Sequence, residues 1–226
     1  GLQYPRRGLT WKIQILMKTK HLIIFLIASI YACTPKSIRL ENDTAVMKTF
    51  SRDEIKELNV LITIFDDEIK KIQNTENTDE AYHMFLESLR YNESIEELFK
   101  KTSVLQPAVD SALNYFTKFK IFDETFSINY SSFNHNRNDT ASVFIEPAYQ
   151  GKYFLFIENI SQEDKRFVEY NNTILATSTI PPSLALAPTL LHKDLDFNKE
   201  SNRLMVVFHY LILLSNKDYK TNKKAY

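Results

Sequence analysis

From Cys33 to Tyr226 the chain contains a single glycine, Gly151. Two-residue hairpins, phosphate-cradling loops and dinucleotide fingerprints all rely on glycine, either for positive φ or for close backbone approach. One residue cannot supply them. The scarcity therefore argues against a P-loop, a Rossmann unit and a hairpin-rich sandwich together. It leaves a mainly α-helical architecture, a single irregular helical bundle, as the expected fold.

The local patterns point the same way. In "TFSRDEIKELNVLITIFDDEIKKIQ", Ser51 and Glu54 form an S-x-x-E capping box, and Phe50 and Ile55 occupy the two positions of a hydrophobic staple. Ile55, Leu58, Leu61, Ile62, Phe65, Ile69 and Ile72 then recur at helical spacing, which predicts a helix over Arg52 to Ile72. Ala81, Tyr82, Phe85, Leu86 and Leu89 predict a second helix to about Tyr91, antiparallel to the first across a short turn. Ser94 and Glu97 start a short third helix through Lys100. Pro107 fits the first turn of a fourth, with Val109, Ala112, Leu113 and Phe116 on one face. The Asn- and Ser-rich stretch 128–147 reads as a long loop, and Tyr153 to Ile157 as helix because no second strand is evident to pair with it. Ser161 is expected to cap a helix carrying Phe167, Val168, Ile174 and Leu175 inward. Pro181, Pro182 and Pro188 enforce an irregular segment. Leu204 to Leu214 is apolar on every side and is placed as a buried central helix.

The N-terminal residues carry a different message. Lys18 and Lys20 precede an uncharged run from Leu22 to Ala32, the basic and apolar regions of a secretory signal peptide. That run is too short to span a bilayer, which takes about 20 residues. It closes on Ile30, Tyr31, Ala32 and Cys33, which resembles the bacterial lipobox. That resemblance implies cleavage between Ala32 and Cys33 and lipid attachment to the Cys33 thiol. The expected organisation is then residues 1–16 as upstream sequence outside the fold and 17–32 as signal peptide. A lipidated cysteine and polar tether follow over 33–48, and a helical domain over 49–226.

Removing the leader changes the charge balance. Residues 1–32 carry five basic side chains and no acidic ones, which leaves 23 basic against 28 acidic residues from Cys33 onward and a net charge of −5. A mildly acidic domain has no electrostatic reason to hold nucleic acid. Cys33 is the sole cysteine, so a disulfide framework and a cysteine-ligated metal site are both excluded, and stability must come from packing.

Catalytic and metal signatures are sparse. His83, His135, His192 and His209 share no i, i+3 or i, i+4 relation, and H-E-x-x-H is absent. His209, inside the most apolar segment, reads as a hydrogen-bonded core histidine. In "LHKDLDF", His192, Asp194 and Asp196 alternate nitrogen and oxygen donors and are the weak candidates for a divalent cation, although such residues between helices are more often a solvated linker that caps the next helix. Asp66, Asp67 and Glu68 are adjacent on a helix, where neighbouring carboxylates diverge instead of forming an acid–base pair. The nucleophile elbow G-x-S-x-G is absent, and nothing implies a cofactor.

Taken in order, "FSRDEIKELNVLITIFDDEI", "GKYFLFIEN", "STIPPS" and "NRLMVVFHYLILLSNKD" resemble uncharacterised lipoproteins of the Bacteroidota. The resemblance implies a lipid-anchored envelope protein and brings no activity or ligand. In that phylum acidic residues after the cysteine accompany surface export. Thr34, Pro35, Lys36 and Ser37 stand there instead, which implies the periplasm-facing leaflet of the outer membrane. The expected function is a non-catalytic binding or structural module held to the membrane by its lipid, with an envelope protein or glycan as partner. The alternative is an envelope hydrolase acting on cell-wall or polysaccharide material.

Overall fold

The computed structural model describes residues 39–90, 95–131, 142–178, 180 and 187–215. Arg39 is extended, and Leu40–Asn42 form one 3-10 turn. Asp43 then accepts the Val46 amide through Oδ1 at 3.1 Å and starts α1 (Thr44–Thr49). Leu40, Ala45 and Val46 are fully buried. Residues 39–48, expected as tether, are thus folded into the domain. Their buried apolar residues are few, Met47 beside them is exposed, and the polar residues between them hid the pattern.

Ser51 and Glu54 make the reciprocal capping box, with Ser51 Oγ accepting the Glu54 amide and the Glu54 carboxylate accepting the Ser51 amide at 2.7 Å. This opens α2 (Arg52–Gln73), whose buried face is Ile55, Leu58, Leu61, Ile62, Phe65 and Ile69. It ends on Asn74 in the left-handed region at φ 51°, a residue type that tolerates that conformation. Asn77 caps α3 (Thr78–Ser88), which packs on α2. The helices α4 (Ile95–Thr102) and α5 (Gln106–Phe116) follow, the second with proline in its first turn and Val109, Ala112 and Phe116 buried. A short helix, α6 (Lys120–Thr125), leads directly into a strand.

That strand corrects the expected loop. β1 (Phe126–Ser131) and β2 (Ser142–Pro147) pair antiparallel, with Phe126 opposite Pro147 and Ile128 opposite Ile145. Ten residues separate them, so the pairing needs no two-residue glycine turn. The hairpin is fixed from outside, because the Ile145 amide donates to Ser215 Oγ at 3.1 Å.

Gly151 accounts for its own uniqueness. A Cβ there would lie 2.7 Å from the Glu124 carbonyl oxygen and 2.8 Å from the Ala148 carbonyl oxygen, closer than any side chain tolerates. It begins α7 (Lys152–Glu163), so Tyr153 to Ile157 are helical, as the sequence predicts. Ser161 is not a cap. α7 continues past it, and its hydroxyl donates back to the Glu158 carbonyl at 2.8 Å. Asp164 instead caps a 3-10 turn, Lys165–Phe167, that runs into α8 (Val168–Thr177). The inward residues there are Phe167, Tyr170 and Ile174, whereas Val168 and Leu175 are exposed. Pro188 lies in the first turn of α9 (Ala187–Leu191), where its missing N–H costs nothing, while Pro181 and Pro182 lie outside the described residues.

The last described helix, α10 (Glu200–Ser215), is buried along its whole length and packs against α2, α5 and β2. Phe208 is its hub, with ring centroids 5.3 Å from Phe126, 5.9 Å from Phe156, 6.1 Å from Tyr153 and 6.4 Å from Phe50. The domain is mainly helical around this core. Among the described residues no helix is long and apolar enough to cross a membrane.

Candidate functional site

A helix buried on all sides still has a first turn, and that of α10 carries Glu200 and Arg203, 4% and 6% exposed. Charges so buried must be paired or the domain loses several kcal/mol for each. Glu200 is saturated. Its Oε2 accepts the Leu40 amide at 2.8 Å, while Oε1 faces Arg39 at 3.3 Å and Arg203 at 3.4 Å. Arg203 is equally engaged, with Nη1 donating to the Phe197 carbonyl, Nη2 facing Glu200 and Nε 3.2 Å from Asp66 Oδ1. The Nε contact is an ion pair without hydrogen-bond alignment.

Asp66 reaches this cluster from α2. Of the three adjacent acids it is the one that meets α10, since Asp67 is exposed and pairs with Lys70 at 3.2 Å, and the partly buried Glu68 pairs with Lys71 at 3.3 Å. The Tyr82 hydroxyl, on α3, donates to Asp66 Oδ1 at 2.9 Å, and the Tyr82 ring stacks on Phe197 at 5.0 Å. Both contacts of Asp66 thus fall on Oδ1. Burial pushes its carboxyl up to about 6, against the opposing pull of Arg203 and the Tyr82 hydrogen bond. Burial, with Asp66 alongside, also drives the Tyr82 phenol far above its ordinary range.

Above these groups opens a cleft of about 460 Å3. Asn59, Ile62, Thr63 and Asp66 form one wall, one face of α2 at helical spacing. Thr78, Asn198, Arg39, Glu200 and Arg203 complete it. A neighbouring buried acid, Asp43, accepts the Ser201 hydroxyl at 2.6 Å and lies 3.2 Å from Lys199, so the segment before α1 is clasped to the start of α10 twice.

The residues singled out from sequence fall elsewhere. His192 turns inward, with Nε2 3.0 Å from Glu87 and its ring 5.9 Å from that of His83, whose own Nε2 is 3.7 Å from Asp79. Asp194 is exposed, and exposed Asp196 accepts the Asn198 amide at 3.0 Å as a local turn. Among the described residues no group of three or more His, Cys, Asp or Glu side chains is placed to hold a metal ion. His209 is fully buried and belongs to a hydrogen-bond chain, with Nδ1 3.1 Å from the Tyr170 hydroxyl, itself 2.8 Å from that of Tyr153. Ala32, Cys33 and His135 lie outside the described residues.

Sequence reasoning missed Asp66, Glu200 and Arg203 as a unit. A usable signal existed. Glu200 and Arg203, three apart, open an otherwise apolar segment, and a helix buried all round obliges its charges to find partners in other elements. No protein-family model, curated protein or solved structure matches the chain.

Proposed function

We propose that this chain is a cell-envelope lipoprotein, anchored by lipid at Cys33 in the periplasm-facing leaflet of the outer membrane. Its helical domain is a non-catalytic binding module, and the cleft above Asp66 is its ligand site. The observation that carries the binding reading is that cleft, with its polar lining and one carboxylate oxygen of Asp66 unengaged among the described residues. The envelope reading is supported by the basic and apolar run from Lys18 to Ala32 and by the lone cysteine that closes it.

A hydrolase of cell-wall or polysaccharide material is the second reading. It draws on the Asp66 carboxyl, which at about 6 is poised to exchange a proton near neutrality. Two carboxylates share the cleft, but both oxygens of Glu200 are taken by Leu40, Arg39 and Arg203. Glycoside hydrolysis generally needs a second working carboxyl group. Binding is therefore the better supported use of the site.

Metabolic labelling with an alkynyl fatty acid tests the anchor. The wild-type protein should be labelled and Cys33→Ala should not, and equal labelling of both would refute lipidation. Incubation of the wild type and Asp66→Asn with peptidoglycan separates the two uses of the cleft. Turnover that Asp66→Asn abolishes would replace the binding reading with the hydrolase.

A further inference from the structure

We infer that the cleft recognises a small zwitterion, an amino acid or short peptide, whose free ammonium group sits on Asp66 Oδ2 and whose carboxylate meets Arg39. This rests on the binding reading above and names its ligand class.

The free hydrogen-bonding capacity sets the class. Glu200 and Arg203 are consumed by each other and by backbone, so neither has a strong contact left to offer. Asp66 is different: Tyr82 and Arg203 both approach Oδ1, and Oδ2 has no partner among the described residues. The same wall adds further acceptors. Asn59 spends its amide nitrogen on Glu41 at 2.6 Å, which leaves its oxygen, and Thr63 spends its hydroxyl proton on the Asn59 carbonyl at 2.8 Å, which leaves its lone pairs. An ammonium group has three N–H donors and no acceptor, and this face of α2 is its complement.

Charge is separated by depth. Asp66, Glu200 and Arg203 are buried and together carry one net negative charge at the floor, whereas the Arg39 side chain, 68% exposed, is positive at the rim. Asp66 and Glu200 balance Arg39 and Arg203, so the lining has no net charge to attract a simple ion. A ligand carrying both signs matches that arrangement. The volume is ample for a dipeptide, and among the described residues no aromatic side chain lines the cleft to offer a platform for a sugar ring.

Asp66 is faced by Arg203 and Glu200 from α10, by Tyr82 from α3 and by Lys70 from its own helix. With its carboxyl at about 6, an ammonium ligand should bind about tenfold more weakly at pH 5 than at pH 7, because only the ionised form holds it.

The test is an NMR titration of the isotope-labelled protein with L-alanyl-L-alanine, its N-acetyl derivative, its C-terminal amide and N-acetylglucosamine. The dipeptide should saturate shifts of the Asn59, Thr63 and Asp66 amides. Acetylation should weaken it by at least about tenfold, as should Asp66→Asn. The amide and the surface variant Arg39→Gln should weaken it less. If Asp66→Asn fails to fold, the acetylated probe and Arg39→Gln still decide. Equal binding of the acetylated dipeptide, or preferential binding of the sugar at the same amides, overturns the zwitterion assignment and leaves a binding cleft. No shift of those amides with any probe at millimolar concentration overturns both.

Discussion

Glu200 holds three groups through one side chain: the Leu40 amide, the neighbouring Arg39 guanidinium and Arg203 in its own helix. Replacing it by alanine leaves an amide unsatisfied and removes one of two acids that neutralise a buried guanidinium. Glu200→Ala should therefore cost about 3–5 kcal/mol, the range for breaking a buried pair from one side. Urea unfolding would measure it, and a loss under about 1 kcal/mol would mean the cluster is only spectating. Asp66 acts with the opposite sign. Its folded carboxyl, at about 6, is raised above the ordinary 3.8, so the folded state binds the proton more tightly. That favourable contribution is complete below the ordinary value and is lost as pH rises through 6, about 3 kcal/mol in all. Glu124 runs the other way, because hydrogen bonds from Lys120 and Lys152 hold it at about 2 and its contribution fades as pH falls below its ordinary range. Between pH 4 and 6 the melting temperature of Asp66→Asn should consequently gain on that of the wild type, and parallel curves would contradict the raised carboxyl.

At the scale of elements, α2 and α7 meet through shared residues. Glu54 closes the capping box of α2 and also pairs with Lys152 in the first turn of α7, and Lys152 in turn reaches Glu124 at 2.8 Å. Gly151 permits that approach by letting the chain touch the Glu124 and Ala148 carbonyls. Gly151→Ala should cost about 1–3 kcal/mol by overpacking, even though glycine to alanine ordinarily stabilises. Ser51→Ala, which removes an exposed cap, should cost about 1 kcal/mol. Thermal or urea denaturation of the two variants checks the pair, and a stabilised Gly151→Ala would contradict the close contact. These elements also show what was legible in advance. α2 was readable because its cap, staple and buried face are encoded within its own residues. The β1–β2 hairpin was not, since its place depends on Ser215, seventy residues beyond Ile145. Reliance on glycine as the mark of a hairpin failed because a long connection needs none. The cleft was least legible of all. It gathers Arg39, residues 59–66 of α2, Thr78 and residues 198–203, groups that no local pattern relates.

At the scale of the whole molecule, α10 ties the domain into one cooperative unit. Its side chains meet α2, α5 and β2, its Phe208 ring joins four aromatics from three other segments, and its first turn clasps residues 39–43. Truncating Leu211, fully buried at the middle of this helix, should cost about 2–5 kcal/mol and lower stability everywhere at once. The N-terminal segment makes the sharper test of cooperativity. α1 has only six residues, too few to hold a helix in water without tertiary support. Were it a tether, its amides would exchange with solvent almost freely. The structure instead places Leu40 and Val46 in the core and gives their amides to Glu200 and Asp43, two buried carboxylates that also bind α10 or its approach. These amides can open only when the clasp on α10 opens. In native-state hydrogen exchange the Leu40 and Val46 amides should be protected to nearly the same free energy as those of Phe208 and Leu211. Exchange of Leu40 and Val46 at the rate of an unstructured chain, with α10 still protected, would return residues 39–48 to the status of a tether and take Arg39 from the rim of the cleft.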